Sequence, residues 1–407
     1  MILASIVPTL VLSLALFGFT IGAAGGQAQT ALAAPSPAPS LTIESFGPAR
    51  AYVVGKERVT LVATFRNTGS TPLPPDTITA RVYGLAGLDY EGTIFQKLPG
   101  LDANSAITLR WQTVSIRTDI PLVASVGLDI PEQPRLVRVV PIQQFDRSPP
   151  GDSAGFSPKA SARARGVSGV LENERLRARI ATTNANVPAL FLSVRTDTGW
   201  QRMGVMLPLA ELMTAEGGQQ PWWEVFRAER IQADNQATGA SLTLTGGFGL
   251  RWRATFDLTL RTGSSVLELR LRCVPLRQVR LSGVRFMPFY AGERSFGAEI
   301  TEQMPAEVVG QHTLAAMRWN RITFGTLLSN APLFPDWETV SLPDVTGASY
   351  RVLGAEMRAL NVPSSMTPAS LVEVRGRIFA LTPSDSVQDA MRIVMPAKTA
   401  PVTKTKP

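Results

Sequence analysis

Two tryptophans and a carboxylate in a row, Pro221-Trp222-Trp223-Glu224, are the densest local concentration of recognition chemistry in the sequence. Sugar rings lay their C–H faces on flat aromatics and share their hydroxyls with carboxylates, so the trio suits a glycan. The preceding Gly217-Gly218-Gln219-Gln220 reads as a loop. Neighbouring side chains in an extended segment point to opposite faces, so one indole can lie in the core while the other is exposed. The competing account buries both rings, as is usual for large aromatics. His312 is the only histidine, and an unshifted imidazole exchanges protons near neutral pH. No group that would orient it as a base can be identified. Arg251 and Arg253 carry planar forks suited to acidic sugars, but strict alternation also places them on a solvated sheet face. The expected ligand contacts are therefore Trp222, Trp223, Glu224, Arg253 and His312, with no catalytic residue assigned.

Other chemistry is poorly served. Cys273 is the only cysteine, so no intrachain disulfide or multi-cysteine metal site can form. A zinc site usually needs at least two His or Cys ligands, and no Asp-rich calcium loop is present. Gly151-Asp152-Ser153-Ala154-Gly155 matches Gly-x-Ser-x-Gly, yet Pro149-Pro150 and Pro158 flank it where a nucleophile elbow needs a strand and a helix. Gly246-Gly247-Phe248-Gly249 lacks the Lys and the helix of a phosphate loop. No cofactor is expected. The formal charge is +8, of which residues 147–165 and the last ten residues each supply +3. The rest is nearly neutral and offers no basic, aromatic-studded face for nucleic acid.

The elements that must carry these residues are strands. Val59, Leu61, Ala63 and Phe65 alternate with polar neighbours, and so do Ile78, Ala80 and Val82 and the row Ile107, Leu109, Trp111. Short strands separated by turn residues over 41–141 indicate an immunoglobulin-like sandwich. Farther on, Leu250, Trp252, Ala254, Phe256, Leu258 and Leu260 share one face. After Thr262-Gly263-Ser264-Ser265 the alternation resumes at Leu267, Leu269, Leu271 and Cys273, so a long antiparallel hairpin is expected with Cys273 in the core. Helical periodicity is confined to short stretches such as Leu207 to Met213.

Two resemblances add to this. Ala63-Thr64-Phe65-Arg66-Asn67-Thr68-Gly69 and Leu98-Pro99-Gly100-Leu101-Asp102-Ala103-Asn104-Ser105 resemble bacterial cell-adhesion-related (CARDB-like) modules. There an Asn-x-Gly turn ends one strand and a loop precedes another that holds a buried aromatic, here Trp111. Such modules act mostly as spacers or binding platforms. Val170-Leu171-Glu172-Asn173-Glu174-Arg175-Leu176-Arg177-Ala178-Arg179-Ile180 is similar to the first strand of galactose-mutarotase-like supersandwich domains, and Gly283-Val284-Arg285-Phe286-Met287-Pro288 fits the same plan. That resemblance implies a sugar-binding concave face. Its active members use a His and a carboxylate, whereas this chain has His312 alone.

The expected organisation follows. Residues 1–33 carry an apolar run from Ile2 and an Ala31-Leu32-Ala33 site typical of a signal peptide, or form an N-terminal anchor. Residues 34–40 are a Pro-rich spacer. An immunoglobulin-like β-sandwich (41–141), a flexible basic linker (146–166), a larger antiparallel β-supersandwich (167–396) and a disordered tail (397–407) complete an all-β chain. The expected protein is extracytoplasmic, meets the membrane only through an uncleaved N-terminal segment, and binds a glycan or cell-envelope polysaccharide without catalysis. A structural or adhesion module and a carboxylate-based sugar enzyme are the rivals.

Overall fold

The computed structural model describes residues 40–117, 122–131, 134–149, 151–216, 221–292, 300–309, 312–319, 321–329, 337–342, 351–360, 364–382 and 394. The expected signal peptide, almost all of the spacer and the C-terminal tail lie outside these. Every named regular element is a strand: an immunoglobulin-like sandwich is followed by a larger antiparallel β-supersandwich.

The small sandwich has two four-stranded sheets. One runs Leu41–Pro48, Arg58–Asn67, Ala106–Ser115, Leu88–Glu91; the other runs Phe95–Lys97, Thr79–Ala86, Leu122–Asp129, Leu136–Ile142. Their inward rows, including Leu61, Phe65, Val82, Trp111 and Val126, share one core. Asn67 explains why the stretches 63–69 and 98–105 occur together. Its side chain is fully buried. Its amide donates to the carbonyls of Thr71 (2.8 Å), Leu101 (3.2 Å) and Asp102 (3.2 Å), and its Oδ1 accepts from the Gly69 N–H (3.0 Å). One asparagine thus ties the strand end to the distant loop, satisfying groups that would otherwise be buried unpaired.

The large sheet contains 18 strands from Ser161–Arg165 to Val372–Leu381, and folds over one main core with a smaller apolar cluster of Leu314, Ala316, Leu327, Phe379 and Leu381 beside it. The expected hairpin is present: Trp252–Arg261 pairs with Val266–Pro275, with Phe256 opposite Leu271 and Ala254 opposite the buried Cys273. Asn173 repeats the role of Asn67. Its amide donates to the carbonyls of Arg261 (2.8 Å) and Ser264 (2.9 Å) at the hairpin end, and its Oδ1 accepts from the N–H groups of Arg175 and Leu176 (2.8 Å each).

Three expectations are corrected. Leu250 does not join the inward row. Phe248 pairs directly with Trp252, so Gly249, Leu250 and Arg251 form the turn and Leu250 is 89% exposed. The stretch from Leu207 is not helical. Ala210–Ala215 is a strand hydrogen-bonded on both sides, to Trp222–Asn235 and to Val279–Ala291, and that ladder overrides a short periodic pattern.

The linker is not patternless to residue 166. Ser161–Arg165 is a strand paired with Ser168–Glu172. The segment before it caps the basic side of Leu176–Thr182. Arg177 is buried, donating to Glu172 (2.7 Å), to the Ser153 carbonyl (2.8 Å) and to the Gly155 carbonyl, with its guanidinium 4.2 Å from the Trp200 ring centroid. Arg179 donates to the Gly151 carbonyl (2.6 Å), and Ser193 to Asp152 (2.5 Å). The Gly-x-Ser-x-Gly match is therefore part of an arginine cap, built from its carbonyl oxygens.

Candidate polar cleft

Period-two strands that bury one face must leave the other polar. On the second half of the large sheet that face forms a cleft of about 540 Å³. Its floor is a set of cross-strand rows. Thr243 stands opposite Asp257, Asp257 opposite Arg270, and Arg270 opposite Arg375. In a parallel row Ser241, Thr259, Glu268, Arg377 and Leu327 are successive partners. His312 and Ser329, paired with each other, close one end.

The charges are fixed by one another. Thr243 Oγ1 donates to Asp257 Oδ1 (2.9 Å) and Arg272 to Asp257 Oδ2 (2.8 Å). Glu373 receives Arg270 on Oε2 (2.5 Å) and Arg375 Nε on Oε1 (2.7 Å). The hydrogen bond from Arg270, with that from Arg375 behind it, holds the Glu373 carboxyl below its usual range, so it stays ionised. Glu268 lies 3.9 Å from Arg261. Arg377 meets no carboxylate within ion-pair distance among the described residues; it donates only to the Val394 carbonyl, at 3.4 Å. His312 is half-buried, and its Nδ1 has no hydrogen-bond partner among the described residues. Burial and then the Arg377 charge push its pKa down, against a smaller opposing contribution from the Leu328 backbone, so the imidazole is neutral at pH 7.

Of the five expected contact residues only His312 lines this cleft. Trp222, Trp223 and Glu224 lie in the strand Trp222–Asn235, and both rings are half-buried. Arg251 stacks over Trp222 (4.5 Å) and Arg285 over Trp223 (4.4 Å). Glu224 accepts from Arg251 (2.7 Å) and Thr214 (3.3 Å). Arg253 is exposed on the cleft's sheet face, outside its lining. Arg285 further bridges Glu211 (2.5 Å) and Glu356 (3.0 Å), directly across the ladder on either side. Glu211 and Arg285 line a smaller cleft, about 190 Å³, between the two sandwiches. There burial, with the Glu211 charge behind it, pushes the Tyr290 hydroxyl up to about 12.

The cleft residues missed from the sequence had one visible signal. Glu268-x-Arg270-x-Arg272 and Glu373-x-Arg375-x-Arg377 are the same charged strip, one on each of two strands that pair antiparallel.

No protein-family model matches the sequence, and no curated protein matches it. Among solved structures, an alpha-mannosidase from Enterococcus faecalis aligns over 83% of this chain and 42% of its own, at 12% identity and TM-score 0.33. The cycloalternan-forming enzyme from Listeria monocytogenes, in complex with a pentasaccharide substrate, aligns over 84% of this chain and 30% of its own, at 7% identity and TM-score 0.17. This chain thus spans less than half the length of either. At such values no statement about ligand or chemistry passes from them to this protein.

Proposed function

We propose that this is an extracytoplasmic saccharide-binding protein that works without catalysis and holds its ligand in the cleft floored by Thr243, Asp257, Arg270 and Arg375. The observation that supports this is the lining itself. Hydroxyls, carboxylates and guanidinium forks converge on an open groove, held on paired strands and by mutual ion pairs, and a polyhydroxylated ring offers donors and acceptors to match. The Trp222–Glu224 segment is the less suitable surface, because a guanidinium covers each indole. The resemblance of the large sandwich to galactose-mutarotase-like domains, and of the small one to adhesion-like spacers, points the same way. The apolar run at residues 2–24 supports export.

The test is a glycan array probed with the full chain beside Arg375→Ala, Asp257→Ala and Trp222→Ala, with cell fractionation of the native protein. Both cleft substitutions are expected to weaken binding about tenfold or more, the loss of one charge-assisted contact, in a protein that still melts in a cooperative transition. No bound glycan, or a loss confined to Trp222→Ala, would overturn the assignment. Recovery in the cytoplasm would overturn the location.

A further inference from the structure

The two matching strips place like charges where a sheet does not favour them. Because the strands Val266–Pro275 and Val372–Leu381 run antiparallel, Glu268 falls opposite Arg377, Arg270 opposite Arg375, and Arg272 opposite Glu373. Like charges directly across a ladder destabilise it. The obvious relief, two Arg–Glu pairs at the ends, is not the one used. Glu373 turns to serve both central arginines, while Asp257 takes Arg272. Glu268 approaches Arg261 instead of its register partner Arg377. Of the guanidiniums that line the cleft, Arg270 and Arg375 share Glu373, whereas Arg377 meets no carboxylate within ion-pair distance among the described residues and lies beside a histidine whose Nδ1 has no partner among them.

We infer that the cleft takes a saccharide carrying an acid group, a carboxylate or a sulfate, received by Arg377 together with the Arg270–Arg375 pair. This rests on the saccharide assignment above. A planar guanidinium with no carboxylate at ion-pair distance among the described residues offers a bidentate fork to either oxyanion, and the neutral imidazole adds a donor or acceptor for a neighbouring hydroxyl. Glu268, Asp257 and Glu373 do not repel the incoming acid as three free charges would. Two of them are neutralised by arginines at 2.5–2.8 Å, and the third lies near Arg261. The carboxylates of Asp257 and Glu268 in the lining keep the cleft from becoming a general polyanion trap, because they leave its three arginines, Arg270, Arg375 and Arg377, one charge in excess.

The experiment is calorimetric titration of the full chain with trigalacturonate, with its carboxyl-reduced counterpart, and with that neutral trisaccharide after sulfation. The acidic forms are expected to bind about tenfold tighter than the neutral one. The advantage should shrink between about 50 and about 500 mM salt as screening shortens. Arg377→Gln is expected to bring the acid-to-neutral affinity ratio close to one. Arg375→Gln, at a more exposed position, is the second variant should the first fail to fold, and it should lower the ratio too. Preference for one acid over the other identifies the oxyanion and supports the inference. Equal affinity for acidic and neutral forms overturns the acid preference and leaves the saccharide assignment standing. A ratio that survives both substitutions overturns the role of these arginines. Failure of every trisaccharide, together with a blank array, overturns the saccharide assignment, and the inference falls with it.

Discussion

Burial and the neighbouring Arg377 guanidinium both disfavour the charged form of His312, and so its pKa in the folded protein lies below the ordinary 6.5. The unfolded chain therefore binds a proton, between that lowered value and about 6.5, that the folded chain refuses. Stability from this group is complete above about pH 6.5 and is lost as the pH falls through the window. His312→Gln removes the term. Urea unfolding from about pH 7.5 to about pH 5 should show a shallower acid loss in the variant than in the parent. Superimposable slopes would show that the imidazole is not held neutral by the fold. At this scale some roles were legible in the sequence and others were not. The turn at Asn67 was legible because its bond to the Gly69 N–H is local, whereas the ties of Asn67 and Asn173 to distant carbonyls were not. Trp222, Trp223 and Glu224 look like a ligand platform because the arginines that occupy them, Arg251 and Arg285, are supplied by a distant turn and by another strand.

Element by element, the alternation of apolar side chains defines the strands well, since period two is what a half-buried sheet requires. It does not reveal which strands meet. The Val266–Pro275 and Val372–Leu381 partners are about a hundred residues apart, so the cleft floor exists only once their register is set. It also fails where a strand irregularity replaces a side chain by backbone. Gly246 lies opposite the step between Ala228 and Arg230 where the ladder slips, and a Cβ there would sit 1.9 Å from the Arg227 carbonyl oxygen. No rotamer change relieves a clash with backbone. Gly246→Ala is therefore expected to cost at least the 1–3 kcal/mol or so typical of overpacking, read from chemical denaturation. Gly155→Ala, whose Cβ would meet nothing within 4 Å, should stay within about 0.5 kcal/mol of the parent. Equal effects at the two positions would mean that the close approach is relieved by a backbone shift.

For the molecule as a whole, the question is whether the two sandwiches unfold together. Their cores are separate, but a third cluster joins them, in which Ala51, Tyr52 and Phe145 from the small sandwich and its exit pack on Val187, Ala189, Phe191, Val205 and Leu207 of the large one. The three rings meet edge-on or tilted, with centroids 5.1 Å apart for Tyr52–Phe145, 5.8 Å for Tyr52–Phe191 and 5.9 Å for Phe145–Phe191. The backbone reinforces the contact: Val53–Val54 pairs in parallel with Gln144–Phe145, and the Asn184 N–H donates to the Gln144 carbonyl at 3.0 Å. This contact was invisible in a stretch that reads as two domains and a linker, because it rests on isolated aromatics with no period and on carbonyl acceptors with no side-chain signal. A buried aromatic cluster of this kind couples the sandwiches more tightly than a polar linker alone. Scanning calorimetry of the parent should therefore give one cooperative transition. Phe145→Ala removes one ring of this mutual trio and should cost about 3–5 kcal/mol. Because the loss falls on the junction and not on either core, the single transition should divide into two, with the small sandwich melting first, since it buries less surface per residue. Two resolved transitions already present in the parent, or one undivided transition in Phe145→Ala, would show that the junction does not couple them.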